Sequence, residues 1–255
     1  MIRGLYTAAT GLNVQTKKMD VISNDLANVN TSGYKKDTAV IASFPEVLAS
    51  RLDDVENQVP NNGPIGRMSL GARVDEVYTH FTQGSVVSTN EVVDMALQGS
   101  GFFVIQTPAG LTYTRDGNFS IDRLGNIVTK EGYSVMGQDG PISLGEDFLT
   151  TGGEIIIKPD GTIYKGTEYI DQLDLADFAD TRTLTKIDNN LYQATAPRIE
   201  FNGSVIQGYL EASTVNPVTA MVDMITVSRA YEANQKVVQT HDSLLGRAVN
   251  DVGKM

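Results

Sequence analysis

Few side chains in this sequence have the type and spacing that catalysis requires. The two histidines are His80 and His241, and there is no cysteine. No G-x-S-x-G nucleophile elbow is present, so a Ser-His-Asp site lacks its nucleophile. The Gly-Ser-Gly run at 99–101 begins like a phosphate-binding loop but lacks a third glycine and a following helix. We interpret it as a tight turn into a strand at 101–106, and His241 as a histidine packed on an apolar helix face.

Four aspartates recur at every third position, at Asp171, Asp174, Asp177 and Asp180. An EF-hand loop needs ligands at alternate positions, a central glycine and a closing glutamate, and this spacing does not fit it. We interpret the segment as a solvated strand that leads into a turn, with a loose divalent-ion site as the alternative. Acidic residues are numerous, but none stands out as a glycoside-cleaving pair. We therefore predict no catalytic, cofactor-binding or metal-binding residue, and a protein that is not an enzyme.

The net charge of −11 is concentrated in the middle of the chain. Residues 1–42 contain five Lys/Arg and three Asp/Glu, residues 212–255 contain four of each, and residues 43–211 contain eleven Lys/Arg and twenty-four Asp/Glu. Near-neutral ends suit close helix packing, and an acidic middle suits a solvated outer surface. No basic stripe is available to bind nucleic acid. No run of apolar residues is long enough for a transmembrane segment, and the N-terminus lacks the apolar region of a secretory signal peptide.

Both ends of the chain carry an apolar residue at every seventh position, which is typical of helices that pack along one seam. We predict a first helix over about 3–29 and a last helix that begins at Asn216-Pro217 and continues to about 249. The ends are expected to pair as a coiled-coil-like stalk made for assembly; the alternative is that each helix only covers its own core. The predicted assembly seam consists of Leu5, Leu12, Met19, Ile22, Leu26, Met224, Val227, Tyr231, Val238 and Leu245.

The last helix has a second apolar flank, formed by Ala230, Val237 and Leu244. A helix that is apolar on more than one flank is expected to contact more than one neighbour. The last helix is therefore predicted to make more of the contacts between subunits than the first helix.

The middle of the chain is rich in turns, since nineteen of the 24 glycines and seven of the eight prolines lie between 45 and 211. A capping-box pattern at 43–46 predicts a short helix, followed by a polar connector at 57–71. Turn pairs spaced seven to nine residues apart predict short antiparallel strands over 72–209. The predicted fold is α+β, with domains at 1–42, 43–71, 72–209 and 210–255.

Four long motifs resemble those of the bacterial flagellar rod and hook proteins. The N-terminal motif at 22–35 reads Ile-Ser-Asn-Asp-Leu-Ala-Asn-Val-Asn-Thr-Ser-Gly-Tyr-Lys, with Asp25 where the family more often has asparagine. Two middle motifs lie at 94–103 and 113–119, and the C-terminal motif spans 213–236. The signature residues are Asn24, Leu26, Ala27, Asn28, Gly33, Tyr34, Asn216, Pro217, Arg229, Ala230 and Tyr231.

This resemblance implies a subunit of the flagellar basal-body rod, of the distal or proximal type. Such a subunit polymerises into a hollow helical drive shaft that transmits torque from motor to hook and encloses the export channel. The implied partners are further copies of itself, other rod subunits, hook or hook-junction proteins and the flagellar type III export apparatus. The resemblance also implies an extracytoplasmic location, with export through the flagellar channel without a cleaved signal peptide, and a β domain on the outside.

Two other functions remain as alternatives. The first is a hook or hook-junction subunit from the same structural class. The second is a cell-wall glycan-binding or glycan-hydrolysing β domain that carries oligomerisation helices. Loss of peptidoglycan hydrolysis on mutation of one carboxylate pair would favour the enzyme.

Overall fold

The computed structural model contains a long helix near each end of the chain and many short strands between them. This architecture confirms the predicted α+β class. It describes residues 2–50, 55–56, 59–60, 64–145, 154–188 and 190–253. None of the described helices has an apolar stretch of the length needed to cross a membrane.

The chain forms two compact units, each of which contains segments that are distant in sequence. Unit 1 contains both long helices together with a β segment, and it comprises Met1–Leu26, Asp37–Tyr78 and Pro217–Met255. Unit 2 comprises Ala27–Lys36 and Thr79–Asn216. The segment that follows the first helix and the segment that precedes the last helix therefore both belong to unit 2. The domain boundaries given above remain predictions.

The two helices follow the sequence signals closely. Helix α1 spans Ile2–Ala27 and helix α2 spans Pro217–Val252. Their 26 and 36 residues correspond to about 39 and 54 Å. Proline suits the first position of α2, because the N–H that it lacks would have no partner within the helix. After α1, Gly33 adopts a φ of 67°, a left-handed conformation that favours glycine.

Between Asp37 and Thr79, the part of the chain that the structure describes forms six short strands. β1 pairs with β6, β2 with β5 and β3 with β4. The last two pairs are antiparallel, with Val47 opposite Met68 and Val55 opposite Pro60. The strands are β1 (Asp37–Ser43), β2 (Val47–Ser50), β3 (Val55–Glu56), β4 (Val59–Pro60), β5 (Pro64–Met68) and β6 (Ala72–Thr79).

The short helix predicted from the capping-box pattern is wrong. Strand β2 occupies the predicted helix, and its exposed Val47 and Leu48 do not cover a core as the apolar stripe of a helix would. Hydrogen bonding to β5 across an antiparallel pair outweighs the local helix signal, because propensity is a weak preference that longer-range pairing overrides. The predicted connector at 57–71 is wrong where it includes strands β4 and β5. Residues 51–54 of the predicted helix lie outside the described residues.

The described residues of unit 2 form sixteen short strands. Every pairing recorded between them is antiparallel. They are β7 (Val86–Ser88), β8 (Met95–Gln98), β9 (Phe102–Thr107), β10 (Gly110–Thr114), β11 (Phe119–Ile121), β12 (Ile127–Thr129), β13 (Ser134–Val135), β14 (Ile155–Ile157), β15 (Thr162–Lys165), β16 (Glu168–Gln172), β17 (Leu175–Asp177), β18 (Leu184–Asp188), β19 (Leu191–Ala194), β20 (Ile199–Glu200), β21 (Ser204–Gln207) and β22 (Tyr209–Glu211).

Strand β9 is the centre of the nine-stranded sheet in unit 2. It pairs with β10 along one edge, and with β13 and β17 along the other. Phe103 and Ile105 belong to the larger hydrophobic core, whereas Phe102 and Val104 belong to a second core. Because β9 is buried on both faces, its sequence is a continuous apolar run rather than an alternating one. The predicted turn before it is confirmed, since Gly99 has a φ of 114° and no helix follows.

The aspartate series does not form one site. Asp171 and Asp177 are buried, so the prediction of a solvated strand is wrong for them. Asp174 pairs with Arg198, and the Asp180 side chain caps a short 3₁₀ helix at Thr181–Thr183. Asp171 Oδ1 accepts a hydrogen bond from the Gln172 N–H and Asp177 Oδ1 accepts one from the Phe178 N–H, so each of the four carboxylates has its own structural contact. Among the described residues, no group of three or more His, Asp or Glu side chains has an arrangement suited to a metal ion.

Candidate functional site

The predicted seam lies on one face of each helix. All five of its α1 residues are partly buried, and in α2 Val227 is buried while Tyr231 is 39% exposed. Buried Ala8 and Val14 add to the α1 face, and buried Ala220 adds to the α2 face. The remaining seam residues, partly buried, are Leu5, Leu12, Met19, Ile22, Leu26, Met224, Val238 and Leu245.

The two helices contact each other at two glycines of α1. A Cβ atom added to Gly4 would lie 2.8 Å from His241 Nε2, and one added to Gly11 would lie 3.1 Å from Asn234 Nδ2. The later position on α1, Gly11, faces the earlier position on α2, Asn234, so the helices are antiparallel where they meet. The prediction that His241 is packed on a helix face is confirmed.

The first turns of α2 expose an apolar stripe, which consists of Val218, Met221, Val222 and Ile225. These side chains are 51–69% exposed. Their spacing of three and four residues places them on one face of the helix. Further along α2 the same face carries polar residues, including exposed Arg229, Glu232 and Lys236. On this face the exposed apolar residues therefore lie at the start of the helix, and the stripe is a candidate interaction site.

A groove of about 480 Å³ lies beside α1 in unit 1. Its wall is formed by α1 residues on one side and by Phe44 and β6 residues on the other. Lys17 and Arg73 are among the lining residues, and each pairs with a nearby carboxylate, Lys17 with Asp20 at 3.9 Å and Arg73 with Asp75 at 2.9 Å. The groove is a second surface of unit 1 that a neighbouring molecule can contact.

A buried charge cluster, formed by Lys35, Arg115 and Glu211, lies within unit 2. Lys35 Nζ donates hydrogen bonds to Glu211 Oε1 at 2.5 Å and to the Thr82 carbonyl oxygen at 2.7 Å. Arg115 Nη1 donates to Glu211 Oε2 at 3.4 Å. The three side chains are 0–3% exposed. The cluster ties the segment after α1 to the segment before α2, although Lys35 and Glu211 are 176 residues apart.

Two backbone contacts complete this cluster. The Gly84 N–H donates to Glu211 Oε1 at 2.6 Å, and Arg115 Nη2 donates to the Gly99 carbonyl oxygen at 2.7 Å. The Arg115 guanidinium also lies over the Phe102 ring, 5.2 Å from its centroid. Glu211 thus accepts from two cations and one backbone amide, so its carboxylate has specific partners on both oxygens.

Burial governs the electrostatics of the cluster. It lowers the pKa of Lys35, and the attraction and hydrogen bond of Glu211 offset part of that change. Burial likewise lowers the pKa of Arg115, with partial offset from Glu211 and Asp177. Buried ion pairs of this kind rarely add stability relative to apolar side chains, but removal of one partner is costly. We infer that the cluster specifies which segments join rather than maximising stability.

Gly33 and Tyr34 position Lys35. A Cβ atom on Gly33 would lie 2.4 Å from the carbonyl carbon of Arg115, and the Gly33 N–H donates to the Glu211 carbonyl oxygen at 2.8 Å. Tyr34 is buried, and Lys186 Nζ lies 4.2 Å from its ring centroid. Glycine is required at position 33 both for its positive φ and for this close backbone approach.

Ser32 joins the same segment to the middle motif. Its hydroxyl donates to Asp116 Oδ1 at 2.6 Å, and the Asn118 N–H donates to the same oxygen at 3.0 Å. Asn190 Nδ2 donates to the Ser32 carbonyl oxygen at 2.9 Å. Burial raises the pKa of Asp116, and these hydrogen bonds oppose that change.

Three family models match the chain, and together they account for the three members of the charge cluster. The model described as "Flagella basal body rod protein" matches residues 5–35, which end at Lys35. The "Flagellar hook protein FlgE/F/G D1 domain" model matches 96–165, which includes Arg115. The "Flagellar basal body rod FlgEFG protein C-terminal" model matches 206–251, which includes Glu211.

Full-length relatives agree with these matches. The chain is 35% identical to the flagellar basal-body rod protein FlgG of Borreliella burgdorferi, over 98% of each chain. It is 35% identical to FlgG of Caulobacter vibrioides, over 96% of this chain and 97% of the relative. It is also 31% identical to the flagellar hook-basal body complex protein FlhO of Bacillus subtilis, over the whole of both chains.

The chain belongs to the flagellar basal-body rod protein family. It is a structural rod subunit of the flagellar basal body. Rod proteins are structural rather than enzymatic, so the prediction that this protein is not an enzyme is confirmed and the wall-degrading alternative is rejected.

The rod-protein signature residues divide into buried, partly buried and exposed groups. Gly33 and Tyr34 are buried, and they anchor the chain after α1. Leu26, Asn28 and Ala230 are partly buried. The exposed signature residues are Asn24, Ala27, Asn216, Pro217, Arg229 and Tyr231.

Asp25, the residue at which this chain departs from the rod-protein pattern, makes a specific contact in the structure. Asp25 is buried, and its Oδ1 accepts a hydrogen bond from the Asp37 N–H at 3.1 Å. Both residues lie in unit 1. An asparagine oxygen can accept the same hydrogen bond, so the two residue types are compatible with this contact.

Sequence reasoning did not assign roles to the charge cluster. Lys35 and Arg115 lie inside the motifs at 22–35 and 113–119, but Glu211 lies two residues before the C-terminal motif. A single charged residue in a turn-rich region gives no local signal of burial. The available hint was the presence of basic residues within two otherwise uncharged or acidic motifs.

Proposed function

We propose that the rod subunit polymerises through its terminal helices into a hollow helical shaft that transmits torque from motor to hook and encloses the export channel. In this proposal, α1 and α2 of one subunit pair along the seven-residue seam. The apolar stripe of α2 contacts a neighbouring copy. Unit 2 forms the outer part of the shaft.

The observation that carries this proposal is the exposed apolar stripe on α2. Complete burial of one such apolar side chain stabilises a contact by about 1.5–3 kcal/mol. The four side chains are roughly half exposed in the free chain. Burying the stripe against one neighbouring subunit would therefore stabilise that contact by on the order of 4 kcal/mol. Exposed Val237 and Leu244 form a second apolar surface on the flank predicted from the sequence. Several moderate contacts, repeated at each subunit, suit a polymer that does not close into a ring.

The buried charge cluster supports a role in torque transmission. A shaft must transfer load between its helices and its outer domain through the connecting segments. The cluster bonds both of these segments to each other and to the sheet of unit 2. In this proposal it stops the connections from shearing apart under load.

The implied partners and location follow from the same proposal. Other copies of the chain, other rod subunits and hook or hook-junction proteins would contact its terminal helices. The subunit would reach its extracytoplasmic position by way of the flagellar type III export apparatus. A hook or hook-junction subunit is the second candidate, because one of the matching family models is described as a flagellar hook protein domain.

A charge placed on the stripe tests the proposal. Met221→Asp should block rod assembly and motility while leaving unit 2 folded, because it inserts a carboxylate into the proposed contact. Gln239→Asp is the matched control, since Gln239 lies five turns further along the same exposed face, where it is polar. Leu12→Asp and Met224→Asp, on the seam, should also block assembly. Normal swimming by cells that carry only Met221→Asp would refute the role of the stripe.

A further inference from the structure

Two glycines on α1 receive the two polar side chains that interrupt the seam of α2. Gly4 and Gly11 are seven residues apart, as are His241 and Asn234. Added Cβ atoms would lie 2.8 Å from His241 Nε2 and 3.1 Å from Asn234 Nδ2. All four residues belong to unit 1.

Each partner in these contacts is unfavourable by itself. Glycine within a helix lowers helix stability relative to alanine, because it has more backbone freedom to lose. His241 and Asn234 occupy seam positions that apolar side chains would fill with more stabilising contacts. His241 Nδ1 is buried and has no hydrogen-bond partner within the described part of the chain. Two helix-weakening glycines on α1 therefore lie against two polar seam residues on α2. This coincidence points to a role in specifying how the two helices align.

We propose that the Gly4–His241 and Gly11–Asn234 contacts lock the axial register of α1 against α2. This inference rests on the helix pairing in the proposed function. A slip of one heptad in one direction places Gly11 opposite His241 and leaves Asn234 opposite Lys18, which has a long side chain. A slip in the other direction places Gly11 opposite Val227 and leaves His241 beyond the start of α1. Only the observed register gives both polar side chains a glycine, and polar seam residues specify register in paired helices.

The experiment measures the register directly in the purified full chain. Ser23→Cys and Ser243→Cys place spin labels at exposed positions on α1 and α2, and the chain contains no other cysteine. A one-heptad slip moves the labels by about 10 Å along the helix axis. The distance between the labels, measured by pulsed electron paramagnetic resonance, therefore distinguishes the registers.

The glycine variants have a matched control. Gly4→Ala and Gly11→Ala should each split or shift the distance peak by about 10 Å. Gly246→Ala should leave it unchanged, because an added Cβ there meets no atom within 4 Å. Adding Asn234→Ala to Gly11→Ala should restore the single peak, since it removes the side chain that the added Cβ crowds at 3.1 Å, while Gly4 still receives His241. Hydrogen exchange of β9 confirms that each variant retains a folded unit 2.

The outcomes separate this inference from the proposed function. A single unshifted peak in a chain that carries both Gly4→Ala and Gly11→Ala would overturn the register lock but leave the helix pairing intact. The absence of a defined distance in the labelled parent chain would overturn both the lock and the pairing. A slipped register with normal rod assembly would confirm the lock and show that assembly does not depend on it.

Discussion

Neutralisation of Glu211 should destabilise unit 2 severely. Glu211→Gln keeps the size of the side chain and retains an oxygen that can accept from the Gly84 N–H. It removes the negative charge opposite Lys35 and Arg115, whose side chains are 0% and 3% exposed. Loss of one partner of a buried ion pair costs about 3–5 kcal/mol, because the remaining charge is buried without compensation.

Native-state hydrogen exchange of β9 measures this loss within unit 2. The expected cost corresponds to exchange that is about 100-fold to several thousand-fold faster for amides that exchange by opening of the unit. Arg198→Ala is the control, because it removes an ion pair with Asp174 whose side chains are 53% and 23% exposed. Such a surface pair contributes about 0–1 kcal/mol, so the control should change exchange less than about tenfold. A Glu211→Gln chain that exchanges within about fivefold of the parent would refute the account of the cluster.

Two further predictions concern the segment that follows α1 and its contact with Asp116. Gly33→Ala should cost several kcal/mol, on the order of 3 or more, because it combines a positive φ with a collision against the Arg115 backbone. Gly132→Ala, which also has a positive φ but open space for the added Cβ, should cost only about 1–2 kcal/mol in urea unfolding; equal costs would contradict the collision. Asp116 should make the free energy of unfolding fall as the pH rises from the ordinary pKa of 3.8 toward the raised pKa of the folded state. In that pH range the folded chain still holds a proton on Asp116 that the unfolded chain has lost. Asp116→Asn should remove this fall, and an unchanged pH profile would show that Asp116 is not its source.

The helices and the β character of the middle were predictable because their signals are local and repeated. A seven-residue apolar repeat specifies a helix over many residues, and turn pairs at regular spacing specify short strands. The short helix failed because its capping-box pattern covers only four residues. Strand β5 lies about twenty residues away, and pairing with it decided the structure of β2.

The charge cluster could not be predicted because its partners come from three distant parts of the chain. Lys35, Arg115 and Glu211 become neighbours only after the sheet of unit 2 has formed around β9. The glycine contacts were hidden for a related reason. Gly4 and Gly11 lie beside the seam predicted on α1, so their meaning depends on which residues of α2 face them.

Methionine footprinting tests the central claim, which is that the start of α2 is an interface between rod subunits. Met221 is 51% exposed in the free chain, whereas Met95 is 0% exposed within the core of unit 2 and serves as an internal control. Mild oxidation should convert Met221 to the sulfoxide much faster than Met95 in the purified chain. In isolated basal bodies Met221 should become as slow to oxidise as Met95. Oxidation of Met221 at the same rate in the basal body and in the free chain would contradict the claim.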